Sequence, residues 1–166
     1  MKKLLMTFAA VAMMVSAASA ETLLDINFED GTRGTLNPWA KNESGVAIVG
    51  ADKAKDGEHA FQIKTGVSTF VKGMKKGVKY KVSLDKKFAY GKSEGAITLE
   101  VYNAESKGFE KAQTVEMSME KTYENVSFEF VSEKPYAPHR LTITPTKENK
   151  GGGSFFIDNL KVESVQ

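Results

Sequence analysis

Apolar and polar residues alternate in short runs along most of the chain after residue 20. The pattern is clearest at residues 80–84, 97–101 and 126–130, where every second side chain is apolar. A period of two puts successive side chains on opposite faces of a β-strand, whereas an amphipathic helix needs a period near 3.6. Turn pairs such as Asp56-Gly57 and Lys76-Gly77 separate the runs. We therefore predict an all-β fold, a two-sheet antiparallel β-sandwich with about eight to ten strands.

The start of the chain has the composition of a secretory signal peptide. Lys2 and Lys3 give it a positive end, residues 4–15 are mostly apolar, and residues 18–20 are small, as at a cleavage site. No later stretch approaches the ~20 apolar residues of a membrane-spanning helix. We therefore predict a signal peptide at residues 1–20 and a single domain at residues 21–166. The protein is expected to be secreted or periplasmic, without stable membrane insertion.

The composition excludes several classes of function. The chain has no cysteine, which rules out disulfides, thiol catalysis and zinc–thiolate sites. Without Lys2 and Lys3, the basic and the acidic residues number 21 each. A domain without net charge gives no indication of a nucleic-acid partner.

Acidic residues follow short apolar strands at both ends of the predicted domain, at residues 25–31 and 155–160. The first and last strands of a closed sandwich pair with each other, which would bring these two segments together. Clusters of oxygen atoms on irregular turns are what Ca²⁺ requires. The pattern indicates one shared cation site. The alternative is that Glu29 and Asp158 are ordinary turn and strand-end residues.

Four segments in this order carry a family resemblance: residues 27–31, 51–61, 77–84 and 155–160. Together they resemble the jelly-roll carbohydrate-binding modules of the galactose-binding-like superfamily, especially those attached to xylanases and β-glucanases. The resemblance implies a non-catalytic carbohydrate-binding domain with a structural Ca²⁺. The metal ligands that it implies are the carboxylates of Glu29, Asp52 and Asp158 and the backbone carbonyls of Asn27 and Lys55.

Such modules bind glycans on one sheet, where aromatic rings stack on sugars and polar side chains bond to hydroxyls. In this chain the candidates are residues that alternate with predicted core positions, together with the single tryptophan. Many relatives have an aromatic residue at the position of Asp85. A lone tryptophan in an irregular segment is more often a cover over the core than a binding platform. The candidate ligand-binding residues are Trp39, Asp85, Lys87, Glu100, Tyr102 and Arg140.

Residues 72–92 contain eight lysines and one acidic residue. This asymmetry indicates a basic strip for an anionic polysaccharide such as a uronate polymer. The alternative is a solvated edge, where lysines prevent unwanted strand pairing.

The sequence lacks the His-Glu-x-x-His zinc motif and a phosphate-binding glycine loop. His59 and His139 share the parity of core positions and are expected to face the core. We predict that the chain is not an enzyme but an exported protein that recognises a polysaccharide. The alternative is a structural or protein-interaction β-sandwich of the periplasm or cell envelope, with a protein partner and no sugar binding.

Overall fold

The computed structural model describes residues 19–39, 45–91, 94–118, 120–134, 137–145 and 153–165. The predicted signal peptide lies outside the described residues, apart from Ser19 and Ala20. Within these ranges every regular element is a β-strand, and none of the described residues forms a helix long and apolar enough to cross a membrane.

The strands are β1 (Thr22–Ile26), β2 (Asn37–Pro38), β3 (Val46–Gly50), β4 (His59–Ile63), β5 (Val67–Val71), β6 (Lys79–Tyr90), β7 (Glu94–Asn103), β8 (Gly108–Ser118), β9 (Glu124–Val131), β10 (His139–Pro145) and β11 (Ser154–Ser164). The described part of the chain therefore has eleven strands, slightly more than predicted. The difference arises at short edge strands: β2 has two residues, too few for an alternating pattern.

The strands form two antiparallel sheets. One has the order β3-β4-β11-β6-β9, with β1 also paired to β11, and the other has the order β2-β5-β10-β7-β8. The prediction of an all-β, two-sheet antiparallel sandwich is confirmed. The predicted pairing of the first and last strands is also confirmed, since Ile26 in β1 lies opposite Leu160 in β11.

Strand β11 changes partner along one of its edges. Its first half pairs with β4 through residues 155–157, and its second half pairs with β1 from Leu160 onward. Between them lie Asp158 and Asn159, where the register with β6 also shifts and where Asn159 has a positive φ of 50°. This junction leaves backbone groups without a strand partner and makes room for a loop.

The core lies between the inner faces of the two sheets. Tyr80, Val82 and Leu84 of β6 point into it from the six-stranded sheet, and Leu99 and Leu141 point into it from the other; all five are almost completely buried. Because alternate side chains point outward, each sheet also presents one outer face to solvent.

The two outer faces lie on opposite sides of the sandwich. The outer face of the five-stranded sheet carries Phe70, Tyr102, Phe109 and Arg140, and we call it the aromatic face. The outer face of the six-stranded sheet carries Lys79, Lys81, Asp85 and Lys87 of β6, and we call it the lysine face.

Candidate functional site

An aromatic cluster occupies one end of the aromatic face. The ring of Phe109 lies 5.5 Å from that of Tyr102 and 5.9 Å from that of Phe70. The guanidinium carbon of Arg140 lies 4.1 Å from the centre of the Phe109 ring, within the range of a cation–π contact. Glu100 holds the same arginine, whose Nε lies 2.7 Å from the carboxylate. The cluster therefore presents rings and a fixed guanidinium together.

Strand register explains why these side chains meet. Arg140 in β10 lies opposite Phe70 in β5 and Glu100 in β7, and Tyr102 lies opposite Phe109 in β8. Residues directly opposite each other in an antiparallel sheet have Cβ atoms about 4.5–5.5 Å apart. Glu100 and Tyr102, predicted from one run of sequence, thus lie together with Arg140, predicted from another.

Trp39 lies at the other end of the same face. Its backbone N–H donates to the carbonyl of Gly66, and a Cβ on Gly66 would overlap the indole ring. Gly66 has the outward parity of Ser68 and Phe70, so the ring rests on the outer side of the sheet. Its exposed fraction of 56% shows that Trp39 does not cover the core.

Hydroxyl residues lie between Trp39 and the aromatic cluster; Thr114 is exposed, Ser68 is half-buried, and Thr98 and Thr142 are buried. Ser68, Thr142 and Thr98 lie side by side on β5, β10 and β7, and the Thr98 hydroxyl lies 3.1 Å from that of Thr114 on β8. From Gly66 to Phe70 the strand advances about 13 Å, at ~3.3 Å per residue. This arrangement has apolar rings at both ends and uncharged hydrogen-bonding groups between, which suits an extended, hydroxyl-rich ligand.

The structure does not bring Asp85 and Lys87 together with Tyr102 and Arg140. Asp85 and Lys87 lie on the lysine face, on the opposite side of the core. The carboxylate of Asp85 accepts hydrogen bonds from the side-chain amides of Asn125 and Asn159. The alternating pattern identifies outward-facing side chains, but it does not tell which of the two sheets a strand joins.

The lysine run is not an open basic strip. Lys79 pairs with Glu129 at 3.2 Å, Lys86 pairs with Glu124 at 2.7 Å, and Lys81 lies opposite both Glu129 and Glu163 in the sheet. The neighbouring strands β9 and β11 supply acidic residues that lie opposite the lysines of β6. The sheet therefore balances a charge excess that is local in sequence, which favours the solvated-edge interpretation.

Asp158 marks a second site, at the junction where β11 changes partner. Its side chain is completely buried, and its carboxylate accepts hydrogen bonds from the backbone N–H groups of Lys55 at 3.0 Å, Asn159 at 2.8 Å and Asp56 at 3.5 Å. Burial raises the pKa of Asp158, these hydrogen bonds oppose the rise, and the nearby charge of Glu29 adds to it.

Glu29 approaches the same loop, residues 51–58, from the end of β1. Its carboxylate accepts hydrogen bonds from the backbone N–H groups of Glu58 at 2.8 Å and His59 at 3.3 Å. The side chain of Asn27 in turn accepts the N–H of Glu29 at 3.2 Å. Gly57 has a φ of +69°, and a Cβ on it would overlap the Glu29 carboxylate.

Of the predicted metal ligands, the structure brings together Glu29, Asp158 and the backbone of Lys55. Asn27 adjoins them through its contact with Glu29. Asp52 is directed elsewhere: it pairs with Lys53 at 2.6 Å, and 73% of its side chain is exposed. Among the described residues, no group of three or more acidic or histidine side chains converges closely enough to hold a metal ion.

Tyr123 and Asn159 also lie at this second site, and neither is among the predicted ligands. The Tyr123 hydroxyl donates to the carbonyl of Lys53 at 2.5 Å, and Lys87 lies 5.2 Å from the centre of its ring. Burial, together with the charges of Asp158 and Asp85, raises the pKa of Tyr123. Asn159 was noted only as a member of the closing acidic segment, residues 155–160. Its amide joins Asp85 and Asp56.

The two histidines differ in burial. His139 is 2% exposed, as expected for a core position. Its Nε2 lies 3.5 Å from the hydroxyl of Ser132, and burial lowers its pKa. His59 is partly buried, and its Nδ1 is enclosed without a hydrogen-bond partner among the described residues.

Replacing Gly57 by alanine is expected to destabilise the fold more than the same change at Gly77. Both glycines have positive φ angles, +69° and +75°, so each alanine costs about 1–2 kcal/mol of backbone strain. At Gly77 a Cβ meets nothing within 4 Å. At Gly57 it displaces Glu29 from two N–H groups, which adds about 2 kcal/mol. Urea denaturation measures the loss in the free energy of unfolding for each variant. Equal losses would show that Glu29 does not stabilise the loop.

Comparison with known proteins gives similarity at the level of fold. No family model matches the chain, and no curated protein matches it. Among solved structures, the CBM22-1 xylan-binding domain of Paenibacillus barcinonensis Xyn10C is 16% identical with a TM-score of 0.66, covering 91% of this chain and 99% of that domain. The tandem CBM22-1–CBM22-2 structure from the same protein gives 18% identity and a TM-score of 0.68 over 91% of this chain. This chain spans 48% of that tandem.

Two further structures show how widely the sandwich is used. TmCBM61, solved in complex with β-1,4-galactotriose, is 18% identical with a TM-score of 0.57 over 82% of this chain and 92% of its own. The enzymatically active domain of tailspike protein 4 from bacteriophage CBA120 is 6% identical with a TM-score of 0.64, over 84% of this chain and 20% of that one. The chain thus has the jelly-roll β-sandwich fold of the carbohydrate-binding modules.

Proposed function

We propose that the chain is an exported, non-catalytic carbohydrate-binding protein that holds a polysaccharide on its aromatic face. The observation that carries this proposal is the position of Trp39 and the Phe70–Tyr102–Phe109 cluster at opposite ends of one face, with hydroxyl groups between them. Structural neighbours that bind xylan and galactotriose support this choice of ligand class. The predicted signal peptide supports export to the periplasm or the exterior.

We propose a neutral rather than an anionic polysaccharide. On the aromatic face the charge of Arg140 is balanced by Glu100 at 2.7 Å, and the floor consists of uncharged hydroxyls. Of the lysines that indicated an anionic ligand, Lys79 and Lys86 pair with acidic residues of β9 in the other sheet. A long anionic chain would find only uncharged groups between Trp39 and the aromatic cluster.

A structural Ca²⁺ at the 51–58 loop is part of the proposal. The nearby charge of Glu29 adds to the electrostatic cost of the buried Asp158 carboxylate, and a cation would offset that cost. Both donors are carboxylates, which are ligands that Ca²⁺ prefers. Glu29 and Asp158 would hold the ion, with carbonyls of Asn27 and Lys55. The ion would contribute positive charge and tie the loop to β1 and β11.

We also propose that the protein has no catalytic activity. Ser132 and His139, which approach each other at 3.5 Å, are 1% and 2% exposed and therefore closed to a polymeric substrate. The fold alone does not decide the matter, because the same sandwich occurs in an enzymatically active domain.

A protein partner is the second candidate. Phe70 and Trp39 are 55% and 56% exposed, and exposed aromatic residues also serve protein interfaces. The two functions differ in their ligands, so one set of measurements separates them.

The test is calorimetric titration of the mature protein with soluble xylan, galactan, glucan and a uronate polymer at 0.05 and 0.5 M salt. We expect binding to a neutral polymer that changes little with salt, because no charge attraction is being screened. Tyr102→Ala is expected to weaken it by roughly 1–3 kcal/mol, while Lys87→Ala, on the lysine face, leaves it unchanged. Salt-sensitive binding to the uronate polymer, lost in Lys87→Ala, would contradict the proposal. If none of the polymers binds, the protein-interaction candidate takes its place.

A further inference from the structure

A cavity of about 390 Å³ adjoins the aromatic face at the end that carries Phe70. Phe70, Val71 and Met74 line it from the end of β5 and the residues that follow, and Ala137, Pro138 and the buried His139 line it from the start of β10 and the residues before it. Because Phe70 also contacts Phe109, the cavity and the aromatic cluster share a wall. A ligand on the aromatic face would therefore pass the opening of the cavity.

The lining of the cavity is mostly apolar. Sugar hydroxyls placed against Val71, Met74 and Ala137 would lose hydrogen bonds to water without finding partners, which is unfavourable. A volume of about 390 Å³ lies at the lower end of small-molecule pockets and suits a short chain or a single ring. The cavity thus fits an apolar group attached to a sugar better than it fits another sugar.

One cation stands at this cavity. Lys72 lines it and is exposed, and within the part of the chain that the structure describes no acidic side chain pairs with it. An ammonium group beside an apolar space can donate a hydrogen bond to a carbonyl oxygen while the rest of the group enters the cavity. An ester has this combination of a carbonyl and an apolar chain.

We infer that the cavity is a subsite for an acyl group esterified to a hydroxyl of the bound polysaccharide. The ester carbonyl accepts a hydrogen bond from Lys72, and the acyl chain packs against Val71, Met74 and Ala137. This inference rests on the proposed function of the aromatic face, and it makes acylated neutral polysaccharides the preferred ligands.

The experiment compares soluble xylan, galactan and glucan, each unmodified and partially butyrylated, by calorimetric titration. Wild-type protein is expected to bind the butyrylated form of its polymer about tenfold more tightly, the effect of burying roughly two methylene groups. Ala137→Leu, which fills the cavity, is expected to abolish this preference and to leave the affinity for the unmodified polymer unchanged. Ala47→Leu, at a separate cavity beside β3 in the other sheet, is the matched control and should keep the preference.

Lys72→Ala provides an independent variant, because an exposed side chain can be removed without disturbing the fold. It is expected to reduce the preference several-fold. Equal affinity of the wild type for both forms of a polymer that it binds would overturn the inference while the proposed function stands. A preference that persists in both Ala137→Leu and Lys72→Ala would also overturn it. Failure to bind any form of these three neutral polymers would overturn the proposed site and this subsite together.

Discussion

The Asp158→Ala variant is expected to lose both stability and any response to calcium. The carboxylate of Asp158 accepts hydrogen bonds from the N–H groups of Lys55, Asp56 and Asn159. Alanine leaves these groups without their acceptor, so we expect a loss of about 2–4 kcal/mol in the free energy of unfolding. Urea denaturation in the presence of a chelator measures this loss without any contribution from metal.

Calcium adds a separate readout. If Ca²⁺ binds the folded state alone, the wild-type melting temperature rises with added Ca²⁺ and falls with a chelator. Asp158→Ala and Asp158→Asn are both expected to lose this shift, because each removes a charge that would hold the ion. Asp56→Ala is the control, since its exposed carboxylate lies in the same loop and is not assigned to the metal. Identical wild-type melting with Ca²⁺ and with chelator would remove the metal from the proposal.

Trp39→Ala is expected to produce the largest loss of binding on the aromatic face. Buried aromatic anchors typically contribute about 1–3 kcal/mol when truncated, or roughly 5- to 150-fold in affinity. Gly66→Ala is expected to weaken binding as well, because the new Cβ would displace the indole ring from its position although the tryptophan is still present. Calorimetric titration with the polymer bound by the wild type measures both.

The controls for Trp39 separate ring position from general surface effects. Trp39→Phe keeps a ring over Gly66 and is expected to retain part of the affinity. Tyr90→Ala removes another exposed aromatic residue, in β6 of the other sheet, and should change nothing. Wild-type affinity in both Trp39→Ala and Gly66→Ala would show that the polysaccharide does not reach this end of the face.

The sequence allowed the fold to be predicted because alternation is a local property. Tyr80, Val82 and Leu84 face the core as their period requires, and the opening and closing acidic segments meet because β1 and β11 pair. The convergence of Glu29 and Asp158 on one loop agrees with the resemblance to carbohydrate-binding modules. Features of the fold could therefore be predicted from short stretches of the chain.

What the sequence could not provide was the assignment of strands to sheets. Asp85 and Tyr102 have the same outward parity, yet they lie on opposite sides of the core, because strand order depends on contacts between distant residues. Phe70 was missed although it alternates with Val67, Thr69 and Val71, a signal that could have identified an outward-facing ring. The packing of the Trp39 ring against Gly66 depends on the pairing of β2 with β5. A strand of two residues is too short for that pairing to be predicted from the sequence.

The central position of β11 has a consequence for how the chain acquires its structure. This strand pairs with β1, β4 and β6, so the six-stranded sheet cannot assemble from the residues that precede it. Contacts between such distant segments give a high contact order, and sheets of this kind fold in milliseconds to seconds rather than microseconds. The six-stranded sheet can therefore form only once β11 is available. A nascent chain that lacks β11 exposes the edges of β4 and β6. It also lacks Asp158, so the 51–58 loop has no carboxylate to bond to at that position.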